Sequence, residues 1–357
     1  MTFGYNQFTR FGRQKLSNNE KFLGTGYSPQ YANTITGTGA GTTSATPGNG
    51  YTYQTYTASG TLTVTASTEV DILVIAGGGR GGDANLTPLV KGAGGGGGAG
   101  GVVYVPNFTL SAGTYTISIG AGAGAASSVR GTPSYILTGA GTTLVFARGG
   151  GNGADHTLGY QSATGGSGGG GGTFTPPTAV NADPLVEPGS AGTQPAIPQP
   201  GITTFISGGN RGGDGSSSIW PSYSVVAGGG GGGSDQVGST ASPANGAINE
   251  GGDGTFVPQF SGSIIGVPAL NPYGQYYAGG GGGGSYSNAP LPSPRSCRGG
   301  LGGGGNGFDY SDPGTAGAQN TGSGGGGGGG YPGLVDGGPG YTGGSGLVVV
   351  RYITGPT

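Results

Sequence analysis

Six consecutive glycines stand between tyrosines in "YYAGGGGGGSYS", residues 276–287, and nearly the same phrase, "VVAGGGGGGS", occurs at 225–234. Other dense runs lie at 94–98, 168–172, 299–305 and 324–330. Fixing a backbone costs roughly 1–2 kcal/mol per residue, and glycine has the most freedom to lose, so ordering six costs on the order of 10 kcal/mol. With no side chains to bury, the offset must come from backbone N–H and C=O groups. A glycine α-helix is disfavoured by about 1 kcal/mol per residue against alanine, and a glycine strand is weak for the same entropic reason. What remains is the extended threefold helix, three residues per turn and about 3.1 Å per residue, with no internal hydrogen bonds. Six residues of it span roughly 19 Å. Its backbone groups point outward, and bare glycine lets neighbouring rods approach closely enough to bond to one another. The runs therefore predict a packed bundle of polyglycine II helices. The competing reading is flexible glycine linkers between β-modules.

Composition alone points toward low complexity, since Gly 95 and Pro 24 make up about a third of 357 residues. The β-forming segments around the runs argue for a fold instead. In "YTYQTYTASGTLTVTASTEVDILVIAGGG", Leu62, Val64 and Ala66 alternate with threonines, and Ile72 to Ile75 form a short continuous apolar run suited to a strand covered on both faces. Tyr115, Ile117 and Ile119 alternate after a Ser111-Ala112-Gly113 turn, "SYILTGAGTTLVFARGG" reads as strand, turn and strand, and "GLVVVRYI" is a strand near the end of the chain. The expectation is a mainly β fold with strands at both ends of a glycine-rich sandwich and essentially no α-helix after residue 22.

Charged residues are 7% and the net charge is −2, so the chain offers no basic field to nucleic acid or to an anionic membrane. No apolar stretch approaches ~18 residues, and "MTFGYNQFTRFGRQKLSNNEKFLG" lacks the apolar core of a signal peptide. A protein made in the cytoplasm without ordinary export or membrane insertion is expected. One cysteine, Cys297, leaves no intrachain disulfide, and a single His156 leaves no histidine cluster for metal or catalysis. The phrase "GGNGADHTL" at 150–158 approaches a calcium-binding nonapeptide through Asp155, but Thr157 sits where a large apolar residue is wanted and no tandem copies follow. Matches to GxGxxG are accidental at this glycine content without a strand–turn–helix context. Carboxylates are present, but no pair stands out as glycosidase machinery. No enzyme activity, cofactor or metal is expected.

The phrases "EVDILVIAGGG", "GGGGGAGGVVY", "GTYTISIGAG" and "GGSGLVVVRY", spread over about 51–354, resemble the glycine-rich domains of tailed-phage receptor-binding proteins. More distantly the chain is similar to the distal tail-fibre adhesins of T-even-type phages. That resemblance implies a polyglycine II sandwich whose variable loops bind a bacterial surface protein or polysaccharide. The run starts at 94, 168, 228, 279 and 324 are unevenly spaced, which fits a repeated scaffold with connections of varying length.

Those connections hold most of the remaining aromatic residues. Trp220, Tyr223, Phe260, Tyr273, Tyr276, Tyr277, Tyr286, Phe308, Tyr310, Tyr331 and Tyr341, among scattered Asn, Ser and Gln, make a composition suited to sugar faces or a protein surface. The bland reading of any single ring is a lid over glycine surface. Tyr276 and Tyr277 mark one end of a hexaglycine rod and Tyr286 the other, and the longer connection favours the Tyr273 to Tyr277 side as the adhesive one. Residues 1–50 differ in character. Phe3, Tyr5, Phe8 and Phe11 lie among Arg10, Arg13, Lys15 and Lys21, and a Thr/Gly/Ala-rich linker covers 33–50. This reads as an arm docking on another virion protein, followed by one domain over 51–357. The expected whole is an extracellular-facing virion adhesin, with homo-oligomerisation in the particle left open. A decoration protein that only stabilises or spaces is the alternative. An ice-binding bundle, a third class, would need one flat, regular Thr/Ala-rich face.

Overall fold

A computed structural model describes residues 35–38, 42–84, 91–126, 129–155, 161–175, 185–194, 199, 201–219, 224–242, 249–266, 275–287, 297–309, 312–331 and 337–354. The continuous apolar runs become the centre of a sheet. β5 (Thr68–Ile75) pairs with β19 (Leu347–Ile353), and β19 pairs in turn with β3 (Tyr51–Tyr56), so both ends of the glycine region share one ladder. β7 (Val102–Leu110) and β13 (Ile206–Gly208) extend it on one side and β2 (Thr42–Ala45) on the other, giving the order β13-β7-β5-β19-β3-β2. Its sequential partners are antiparallel throughout.

The alternating segments form a second sheet. β1 (Ile35–Thr38), β4 (Gly60–Val64), β8 (Gly113–Ser118), β9 (Ser134–Leu137) and β10 (Thr143–Ala147) lie in that order. Leu62, Val64, Tyr115, Ile117, Ile136 and Val145 turn inward against Val70, Ile72, Val74, Val103, Val105, Val348 and Val350, while the threonines between them face outward. The other face of the six-stranded sheet carries Leu73, Ile75, Leu347 and Val349, and is covered by Phe260 and Ile265 together with Tyr277. Those first two residues sit on a 3-10 turn (Pro258–Phe260) and on α1 (Gly262–Ile265), the only α-helix among the described residues. Burial on both faces explains why β5 and β19 read as unbroken apolar runs rather than as alternation.

Residues 34–354 form one compact unit. The stretch expected to be a linker therefore contributes β1 and β2, which pair with β4 and β3. Thr-rich edge strands and Thr-rich linkers have the same composition, and only pairing tells them apart. The arm residues Phe3, Tyr5, Phe8, Arg10, Phe11, Arg13, Lys15 and Lys21 lie outside the described residues.

Between the strands, the glycine runs are neither helix nor strand. Their bonding follows a three-residue period, clearest in 94–101. Gly94, Gly97 and Gly100 donate to the carbonyls of Gly328, Gly325 and Gly322 at 2.9, 2.8 and 2.8 Å. Gly95, Gly98 and Gly101 donate to Ala154, Gly151 and Arg148, while Gly96 and Ala99 donate to Gly229 and Gly232. The carbonyls of the same run accept from three further segments, 76–82, 167–170 and 281–284. One rod thus bonds to six neighbours, and successive residues face successive neighbours, the period that three residues per turn dictates. All eight N–H groups of 94–101 and the carbonyls of 94–99 and 101 have partners on neighbouring segments, which is how a side-chain-free segment recovers its ordering cost.

Candidate functional site

The strands feed the rods from one side. β5 runs directly into 76–84, β10 into 148–155 and β13 into 209–215, while 94–101 runs out into β7 and 337–346 into β19. This near end of the bundle abuts the β-sandwich. At the opposite, far end the pairings are Ala84 to Gly338, Gly94 to Gly284, Gly228 to Gly284, and Ser285 to both Phe308 and Gly330. The connections 85–93, 173–186, 216–227, 286–296 and 331–337 each leave and return to the rods at this far end.

Two small sheets grow on its rim. One has the order β12 (Leu185–Val186), β11 (Thr173–Thr175), β6 (Lys91–Ala93); the other is β14 (Ser216–Ile219), β15 (Ser224–Ala227), β18 (Ser285–Ser287).

This sorting divides the expected binding residues. At the near end, Phe260 and Tyr277 are fully buried rather than presented at a surface. Phe260 meets Tyr53 and Tyr104 edge-on at 6.4 and 5.7 Å and lies 5.1 Å from the Arg351 guanidinium. The Tyr277 hydroxyl donates to the Phe260 carbonyl at 2.5 Å, and burial pushes its phenol above the ordinary range. These two rings are lids over the six-stranded sheet. Their sequence neighbours offer no helical or strand period long enough to have revealed this. Tyr276 is half-buried and pairs with Phe256, 50% exposed, at 5.0 Å between ring centroids across β16 (Thr255–Phe256) and β17 (Tyr276–Tyr277). Tyr273 lies outside the described residues.

At the far end, Tyr286 of β18 packs on Ala93 and Val226 with the Lys91 ammonium 5.6 Å from its ring, and burial raises its phenol pKa. Phe308 is half-buried, and its ring leaves Gly338 no room, since a Cβ there would lie 2.9 Å from it. Tyr331 is half-buried just past Gly330. Trp220 and Tyr223 belong to the connection 216–227, and Tyr310 follows Phe308; all three lie outside the described residues. Tyr341 sits apart on the flank of the bundle against Gly314, half-buried, with its phenol raised by burial. Exposed apolar surface at the far end comes from Leu185 and Val186, at 43% and 47%.

The far end also gathers charge that the sequence did not bring together. Arg80 is 3% exposed within a glycine rod and bonds Asp83 at 2.5 Å, and the same Asp83 oxygen accepts the Gly340 N–H at 2.7 Å. The Asp83 N–H donates to Asp155 Oδ1 at 2.7 Å, so the aspartate of the calcium-like phrase joins two rods. Arg211 pairs with Asp214, and Asp214 Oδ1 accepts the Gly189 N–H at 2.9 Å. Glu187 adds a carboxyl whose pKa is raised by burial first and by the Asp155 charge second.

No group of three or more His, Cys, Asp or Glu placed to hold a metal occurs among the described residues. Cys297 is buried with its thiol 3.8 Å from the Ser285 hydroxyl.

A search of curated proteins finds no match. The model of one family, described as a glycine-rich domain, matches residues 54–353, which take in the paired strands β5 and β19, the rods and the far-end connections; the chain belongs to that glycine-rich domain family.

Proposed function

We propose that this protein is a virion adhesin of a tailed phage, which recognises a host cell-surface protein or polysaccharide with the connections at the far end of its glycine rods. What supports the reading above all is the sorting of those connections: five of them leave and return at the end opposite the sandwich, where nothing else of the described fold competes for the surface. Loops anchored at both feet in a backbone-bonded bundle lose little freedom on binding, so aromatic residues there make efficient anchors. The aromatic content of 216–227 and the phrases that resemble phage receptor-binding domains point the same way. In this reading the protein faces outward on the particle, is held there by residues 1–33, and performs no chemistry.

The Tyr286 end thereby replaces the Tyr273 to Tyr277 end as the adhesive one. Alanine at Trp220, Tyr223, Tyr310 and Tyr331 is expected to abolish host-cell adsorption by purified protein with the fold intact. A true hot-spot ring contributes about 2 kcal/mol or more, roughly thirtyfold in affinity. Alanine at Phe256 and Tyr276, on the near end, is expected to leave adsorption unchanged. Wild-type protein that binds no host cell while remaining on the particle supports the decoration-protein alternative instead.

A further inference from the structure

The end of the sandwich away from the rods carries a cleft. β19 leaves the rods at Leu347 and finishes at Ile353, which pairs with Tyr51 at the start of β3, while β5 begins at Thr68 opposite Leu110 of β7. Between these strand ends, Tyr51, Glu69, Asp71, Asn107, Arg351 and Ile353 line a cleft of about 250 Å³, counted with the solvent in its mouth. Drug-sized ligands fill about 300 Å³ or more, so this cleft suits a single long side chain.

Its floor is an ion pair. Arg351 Nε donates to Asp71 Oδ2 at 2.7 Å, and the other Asp71 oxygen accepts the Asn107 N–H at 2.8 Å, where β7 bulges and Asn107 takes a φ of 49°. The Arg351 guanidinium lies 4.4 Å from the Tyr51 ring and 5.1 Å from that of Phe260. Burial opposes its charge, but its bonds to Asp71 and Tyr53 outweigh that and keep it a cation. The floor is therefore fully engaged. The mouth is not: Glu69 is exposed, and no ion pair among the described residues involves it. Asn107 is exposed as well, and so is Ile353, at 62%. Glu69 and Asp71 against Arg351 leave the cleft one net negative charge.

We propose that this cleft is a socket for an arginine side chain of the virion protein on which the adhesin is seated. The adhesin reading supplies its direction: with the far end of the rods turned to the host, this end turns to the particle. The chain also enters β1 at this end, where the Ile35 carbonyl accepts the Tyr352 hydroxyl at 3.3 Å. The Glu69 carboxylate accepts the incoming guanidinium in the two-pronged geometry that arginine favours. The methylenes of that side chain lie along Ile353, and the Asn107 side-chain oxygen is a further acceptor. An acidic side chain is refused, because the one cation lining the cleft is already bonded to Asp71.

Nuclear magnetic resonance of the isotope-labelled full chain, titrated with N-acetyl-arginine amide, tests the chemistry. Shifts of the Glu69, Asn107 and Ile353 amides are expected, lost in Glu69→Gln and absent with N-acetyl-glutamine amide. Incorporation into particles tests the partner. Glu69→Lys is expected to lower the load about tenfold or more, because like charges facing each other across an interface repel. Glu69→Asp is expected to be packaged nearly as wild type, and free Glu69→Lys protein to adsorb to host cells unchanged. An equal response to N-acetyl-glutamate amide, or no shift at these amides, overturns the socket, and so does a normal load of Glu69→Lys. Wild-type protein that binds no host cell, while its load still falls on Glu69→Lys, upholds the socket and contradicts the adhesin reading alone.

Discussion

Gly281 shows what a single residue contributes to such a bundle. Its N–H donates to Gly97 at 2.8 Å and its carbonyl accepts from Gly231 at 2.8 Å, while a Cβ in place of its hydrogen would lie 2.0 Å from the Gly325 carbonyl oxygen. The hydrogen that stands there points at a third rod, the geometry of a weak C–H···O contact. Gly281→Val is therefore expected to part three rods at once and to lower thermal stability well beyond the about 0.5 kcal/mol of an ordinary surface change, since each amide left buried and unpaired costs about 1–3 kcal/mol. An unchanged melting temperature would show that the rods are not close-packed in solution. In the sheet, the comparable residue is Asp71. It accepts from Arg351 Nε at 2.7 Å and from the Asn107 N–H at 2.8 Å, beside the bulge between Val70 and Ile72. Arg351 lies 4.4 Å from the Tyr51 ring and 5.1 Å from that of Phe260, so Asp71→Ala leaves a guanidinium enclosed without its carboxylate. A loss of about 3 kcal/mol is expected in chemical denaturation.

At the scale of elements, β1 and β2 separate two truncations that look alike on paper. Removing residues 2–32 spares both strands, and the domain is expected to fold while losing incorporation into particles. Removing residues 2–50 strips an edge from each sheet and exposes Leu62, Val64 and Tyr56, so a clear drop in melting temperature is expected from the same assay. A 2–32 deletion that is packaged at normal load removes the docking role from the arm.

These strands also mark where the sequence is readable. Ile72 to Ile75 and Leu347 to Val350 announce a doubly covered strand because burial on both faces leaves no polar position. Leu62 and Val64 announce a half-covered one by alternation. Thr42 to Ala45 announces nothing, since threonine serves edge strands and linkers equally. Phe260 and Tyr277 were misplaced for a related reason: a ring in a long connection looks the same whether it covers a sheet or awaits a partner. The far-end sorting is hidden more deeply, because runs of identical glycines carry no side-chain pattern to say which run pairs with which.

At the scale of the whole molecule, strand passes straight into rod at each junction with the sandwich among the described residues. β5 passes into 76–84 between Ile75 and Ala76, and both residues are fully buried. Sandwich and bundle are therefore expected to unfold together. Fluorescence of Trp220, the only tryptophan, reports on a far-end connection, and far-ultraviolet circular dichroism reports on the sheets. Coincident denaturation curves from the two probes are the expected result, and separated midpoints would divide the molecule into two cooperative units.

The three-residue bonding period has a consequence for how such a chain can change length. One glycine added inside 94–101 turns everything beyond it by a third of a revolution, so that each N–H meant for the rod at 322–328 is handed to the one at 148–154. Three added glycines restore every facing and only lengthen the rod by about 9 Å. Insertions and deletions within the rods should therefore survive only in whole turns, whereas the far-end connections, which answer to no such count, are free to drift one residue at a time.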